Sequence, residues 1–155
     1  MPETTFDRLI ALLDHHQVAH DVMRHQAVYT SEEAARVRGT QLASGAKALV
    51  CRADEGFVLF VMPADRRLAS KLARRNAGIR SLRFASREEV LQLTGLTPGA
   101  IPPFGSLFGL ITWCDRRLAE QPTINFNAGD HSVSISMTYR DFERIEQPRI
   151  GEFAE

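Results

Sequence analysis

Lys47 opens an apolar run ending at Arg52, directly after Gly45 and Ala46. A lysine at the start of a strand can lay its alkyl stem along the sheet edge and hold its ammonium in a cleft, where it orients or neutralises an anionic group. A solvated lysine at a strand end is the alternative. Between Gly95 and Gly105 the chain carries three glycines and three prolines. Proline fixes φ, and glycine lets a ligand approach the backbone, so such a loop can turn N–H groups toward a carbonyl or phosphate. It can equally be a rigid connection. A third feature is cationic. Arg67, Lys71, Arg74 and Arg75 share one side of a helix by spacing, a candidate phosphate-contacting patch that could also be a solvated face.

Other chemistries find little support. The chain has no G-x-S-x-G, P-loop, G-x-G-x-x-G or H-E-x-x-H pattern. Four of its five histidines, His15, His16, His20 and His25, lie near the N-terminus. Their spacing puts no pair on one helical face with an acidic or thiolate companion, so they read as surface histidines and no metal or cofactor is expected. Cys51 and Cys114 sit apart in apolar stretches, as small buried thiols and not as a disulfide or a nucleophile.

The elements that must position these residues follow from periodicity. Phe6, Leu9, Ile10 and Leu13 predict a helix over 5–16, capped by Thr4 or Thr5. An extended piece over 19–24 follows. Thr30 with Glu33 forms a capping-box pattern opening a second helix that ends at Gly39. Strands at 47–52 and 57–62 make a hairpin, and Asp65 caps a helix running to Asn76. A short strand at 81–84 and a helix from Ser86 to Gly95 precede the Gly/Pro loop. Three further strands are predicted at 107–113, 123–127 and 132–137, and a closing helix at 139–145. The pattern is a mixed α/β (α+β) domain in which hairpins alternate with helices.

At 155 residues, the chain has the length of one domain, 1–155. Apolar residues are 44% and charged residues 25%, an ordinary globular balance. No apolar run approaches the ~20 residues that cross a bilayer, and Met1 to Thr5 lack a signal-peptide pattern; a cytoplasmic chain without a membrane partner is expected. Net charge is zero, yet eight basic residues fall between Arg66 and Arg87.

An ordered series carries a resemblance. It runs through Ser31–Ala35, Gly39, Gly45–Leu49, Pro63–Leu68 and Ala85–Val90, then Thr94–Gly105, Asp115–Leu118 and Phe126–Gly129. In this order the chain resembles the YbaK/ProX family of free-standing aminoacyl-tRNA editing domains, from about Thr30 to Phe142. The resemblance implies a central mixed, partly barrel-like sheet flanked by helices. The implied activity is hydrolysis of the ester joining a wrong amino acid to the terminal adenosine of tRNA. It implies catalytic roles for Lys47 and for a G-x-x-x-P loop defined by Gly99 and Pro103. Substrate contacts are implied at Ala100, Ile101, Pro102, Asn127, Gly129, His131 and Tyr29, and tRNA contacts at Arg67, Lys71, Arg74 and Arg75. Ala100, Ile101, Phe57, Val28 and Tyr29 are candidates to line the amino-acid pocket. The implied partners are the acceptor end of an aminoacyl-tRNA and an aminoacyl-tRNA synthetase, with no DNA. A non-catalytic relative that binds a tRNA end or nucleotide, and a hydrolase of another small ester, remain as alternatives.

Overall fold

The computed structural model describes residues 3–155. The chain opens with α1 (Thr5–His15), whose cap is a reciprocal pair: Asp7 N–H donates to the Thr4 hydroxyl and Thr4 N–H to the Asp7 carboxylate. There follow β1 (Asp21–Arg24), α2 (Ser31–Arg38), β2 (Ala46–Ala53), β3 (Gly56–Pro63), α3 (Ser70–Ala77), β4 (Leu82–Phe84) and α4 (Arg87–Thr94). After the Gly/Pro loop come β5 (Ile111–Asp115), β6 (Thr123–Asn127), β7 (Val133–Thr138), α5 (Tyr139–Glu146) and β8 (Arg149–Gly151).

The strands form two sheets. One is antiparallel, ordered β1-β7-β6; the other is mixed, ordered β4-β2-β3-β5-β8, with β3, β5 and β8 parallel. A parallel bridge between Gly45 and Asn125 links them just before Lys47. The expected mixed α/β architecture is present, although the strands do not close into a barrel.

Apolar burial explains the layering. The main core joins α1, β2, β3, β6, β7 and α5 through Leu9, Leu13, Val50, Val61, Phe126, Ile135 and Phe142. A second cluster lies around Phe60, Met62, Ala73 and Phe153. Phe104 ends the Gly/Pro loop as a wedge in the main core, its ring 5.8 Å from that of Phe126 and 5.3 Å from that of Phe142. The loop is thereby fastened at one end by burial.

Several expected boundaries move, each for a long-range reason. The predicted helix from Asp65 begins only at Ser70, with no side-chain cap. Residues 67–69 are instead paired with the chain's last residues: Arg67 and Glu155 exchange backbone bonds of 3.1 and 2.9 Å, and Ala69 N–H donates to Phe153 O. The buried Asp115 carboxylate secures that segment by accepting from Phe153 N–H and Ala154 N–H at 2.9 Å each. Arg67 therefore does not share the helix with Lys71, Arg74 and Arg75. The strand expected from Leu107 starts at Ile111, because Gly105–Phe108 forms a 3-10 turn. A Cβ on Gly105 would lie 2.7 Å from Leu110 O, so only glycine fits there. Strand β8 carries no local signal and exists through its pairing with β5. Phe104→Ala should destabilise the protein by about 3–5 kcal/mol, read as a lower midpoint in urea unfolding followed by far-UV circular dichroism.

Candidate active site

A cavity of about 190 Å³ opens between α2, the start of β2, β6 and the Gly/Pro loop. It is lined in part by Tyr29, Arg38, Lys47, Gly99, Ile101, Asn125, Asn127 and His131. The loop's own backbone bonds decide which of its N–H donors stay uncommitted. Gly99 takes φ +92°, a conformation that glycine adopts freely. Ala100 N–H closes a turn onto Thr97 O (3.1 Å), and Ala100 O accepts from Gly129 N–H (2.9 Å). Pro102 and Pro103 have no N–H. Gly99 and Ile101 thus remain as cavity-lining residues whose N–H groups have no protein acceptor among the described residues.

Lys47 is half-buried on β2 and faces the same cavity. Burial pushes its ammonium below the ordinary lysine range; Glu32 and Asp65 pull it back up, and Arg67 pushes it down. No ion pair is formed by Lys47 among the described residues.

His131 stands behind the loop. Its Nδ1 lies 3.2 Å from Val28 O and its Nε2 3.0 Å from the Thr97 hydroxyl. A carbonyl requires the Nδ1–H tautomer, which leaves Nε2 to accept from threonine. Both ring nitrogens are engaged, so His131 serves as a prop and has no free lone pair for a water. Its ring backs that of Tyr29 at 4.7 Å, and Tyr29 is 73% exposed. The Glu33 carboxylate accepts from Tyr29 N–H (3.3 Å). Thr30 still caps α2 through Glu33 N–H, so only half of the expected capping box forms.

Of the residues singled out in the sequence, Lys47, Gly99, Ile101, Asn127, His131 and Tyr29 meet at the cavity, as does Val28. Ala100, Pro102 and Pro103 are buried behind it and shape the loop without lining the cavity. Gly129 acts from behind through its bond to Ala100, and Phe57 lies elsewhere, under the Arg52 guanidinium. Lys71 and Arg75 flank a separate shallow depression with Leu72 and Glu155, while Arg74 bends back toward Arg80 O.

Sequence reasoning missed Arg38 and Asn125. Arg38 is half-buried at the end of α2 and donates to three neutral acceptors. Its Nε bonds the Ser134 hydroxyl at 2.8 Å, Nη1 bonds Asn125 Oδ1 at 2.9 Å and Nη2 bonds Asn127 Oδ1 at 2.9 Å. Burial lowers it to about 10, leaving it charged at neutral pH. A signal existed in β6, where Asn125 and Asn127 alternate with the buried Ile124 and Phe126.

The thiols lie outside the site. Burial pushes both Cys51 and Cys114 up to about 12, which makes either a poor nucleophile. In native protein at pH 8 neither should react with iodoacetamide, whereas both should in denaturant, as followed by intact mass.

A family model described as an aminoacyl-tRNA editing domain matches residues 25–145. The chain is 39% identical over 155 residues to the multifunctional Ser/Thr-tRNA deacylase ProXp-y of Escherichia coli K12, covering 96% of this chain and 92% of that protein. It is 32% identical over 131 residues to a proline–tRNA ligase of Shouchella clausii, covering 81% of this chain and 23% of the ligase. A crystal structure described as a candidate trans-editing enzyme for prolyl-tRNA synthetase superposes with a TM-score of 0.85 at 26% identity, covering 100% of this chain and 99% of the other. The chain belongs to the aminoacyl-tRNA editing domain family.

Proposed function

We propose that this chain is a free-standing deacylase that hydrolyses serine or threonine from tRNA carrying the wrong amino acid. The observation that carries the reading is the meeting of Lys47 with two uncommitted loop donors, Gly99 N–H and Ile101 N–H, in one small cavity. The ester carbonyl would lie against those donors, which stabilise the charge that develops on its oxygen by about 3–4 kcal/mol per donor in favourable sites. Water adds to the carbonyl carbon and the ester C–O bond breaks. The amino acid leaves as its carboxylate; of the water's two protons, one goes to the ribose oxygen and the other to solvent. An aminoacyl ester is already labile, so no side-chain nucleophile is needed. The neighbouring ribose hydroxyl of the substrate orients the water, and the Lys47 ammonium supplies charge and orientation.

The choice of amino acid follows from size and polarity. A cavity of about 190 Å³ suits a small side chain, and Asn125, Asn127 and Arg38 make part of its lining polar. A site built to hydrogen-bond a substrate hydroxyl rejects analogues that lack it far more strongly than an apolar pocket distinguishes one methylene, worth about 1–3 kcal/mol. The E. coli relative named as a Ser/Thr-tRNA deacylase supports the same choice.

tRNA capture is assigned to Arg67, Lys71, Arg74 and Arg75. Arg67 is near enough to Lys47 for its charge to be felt there, which supports a tRNA path that passes this arginine on its way to the cavity. A proline–tRNA ligase carries a similar segment within a much longer chain, in keeping with a working place downstream of a synthetase, in the cytoplasm. Among the described residues no helix is long and apolar enough to cross a membrane.

Tested against tRNAs charged with Ala, Cys, Ser, Thr and Pro, the protein should release serine and threonine, and Lys47→Ala should lose that activity. A wild-type rate in Lys47→Ala removes the lysine from the mechanism; binding without cleavage of any tRNA makes the chain a binding relative. Charge reversal at Arg67, Lys71 and Arg75 together should raise KM at low salt and flatten its salt dependence. An unchanged KM would show that this surface is merely solvated.

A further inference from the structure

Arg38 is a cation in the cavity wall with no anion beside it. It forms no ion pair among the described residues. A guanidinium has five N–H donors and no acceptor, and that asymmetry orders everything around it. Because Arg38 donates to Asn127 Oδ1, the amide of Asn127 must turn its Nδ2 the other way, where it donates to Gly99 O at 2.7 Å. Because Arg38 donates to Asn125 Oδ1, the Nδ2 of Asn125 donates to the Ser44 hydroxyl at 2.9 Å, which in turn donates to Gln41 O at 2.7 Å. Ser44 lies three residues before Lys47. The third arm passes from Arg38 to the Ser134 hydroxyl and on to His25 Nε2 at 2.8 Å, while His25 Nδ1 lies 2.8 Å from Gln26 O. Each arm runs outward and ends on a backbone carbonyl, at Gly99, Gln41 and Gln26.

We propose that Arg38 is the positioning residue of the site: through Asn127 it fixes the Gly99–Ile101 loop, and through Asn125 and Ser44 it fixes the approach to Lys47, so that one guanidinium sets their separation. The proposal depends on the deacylase reading for its consequence in rate, though not for its geometry. Holding Gly99 O against Asn127 orients the 99–100 peptide and directs Ala100 N–H onto Thr97 O, which leaves Gly99 and Ile101 as the free donors. Lysine cannot replace this arrangement, because its point charge lacks the planar fork that reaches three acceptors in fixed directions. Asn127→Asp keeps the shape but removes the donor to Gly99 O.

Single-turnover deacylation of serylated tRNA by Arg38→Lys and Asn127→Asp should fall about 10–100-fold, with tRNA affinity unchanged. The double variant should be no slower than the slower single one, since both break the same arm. Guanidinium chloride at low millimolar concentration should restore part of the rate to Arg38→Ala and none to Lys47→Ala. A wild-type rate in Arg38→Lys, multiplying losses in the double variant, or a loss confined to tRNA affinity would overturn the proposal. A reading on unaltered protein guards against variants that do not fold. The Arg38 Nε–H and the Asn125 and Asn127 side-chain amides should appear in native NMR spectra as protons protected from solvent exchange, and rapid exchange of all three would overturn it. If the wild type cleaves none of the charged tRNAs, the deacylase reading fails, while the NMR result still decides whether Arg38 holds the loop.

Discussion

A guanidinium gives hydrogens and accepts none, and Arg38 presents that one-way character to three neutral acceptors at the edge of the cavity. Withdrawing a cation from water is costly unless its donors are matched, and charge-assisted bonds to Ser134, Asn125 and Asn127 supply the match. A carboxylate partner would have neutralised the cation and competed for its fork. Amide and hydroxyl partners instead pass the polarity onward, so the orientation of each follows from the one before it. The Gly99 loop, the turn before Lys47 and the segment around His25 take their positions from this common origin.

That origin is itself held by hydrophobic packing. The antiparallel sheet places Asn125 and Asn127 on one side of β6 and Ile124 and Phe126 on the other, so the strand that packs the core also displays the amides. The bridge from Gly45 to Asn125 brings the second sheet's first long strand to the same place. Phe104 ties the far end of the loop to the core, opposite the polar attachment at Gly99. The loop is thus clamped between an apolar anchor and a polar one, as the proposed reading of a site working through fixed backbone dipoles requires.

How much of this was legible in the sequence depended on the range of each interaction. Local signals served well: the Thr4, Thr30 and Ser86 caps, the Gly39 and Gly95 stops, the hairpin turning at Asp54 and Glu55, and β6 all lie where residue type and period place them. Elements decided by distant partners were not legible. Residues 65–69 look like a helix start until the chain's last residues pair with them, and β8 has no pattern of its own beyond its neighbour β5. At the site, Lys47 and the Gly/Pro loop stood out by composition. Arg38 did not, because an arginine at a helix end ordinarily reads as a solvated charge favouring the dipole; only the fold reveals that its partners are amides 87 and 89 residues away.

The one-way wiring around Arg38 also bears on how such a site changes over generations. An exposed salt bridge, worth little by itself, can be inverted or replaced through tolerable intermediates. A donor-only centre with amide arms has no such route, since Asn→Asp at either arm deletes an outward donor and Arg→Lys deletes two directions at once. Asn127→Asp leaves Gly99 O without its donor, and Asn125→Asp leaves the Ser44 hydroxyl without the donor it accepts from. On this wiring a change at Arg38, Asn125 or Asn127 calls for matching changes at the other two, so the three behave as one unit spread over two secondary-structure elements.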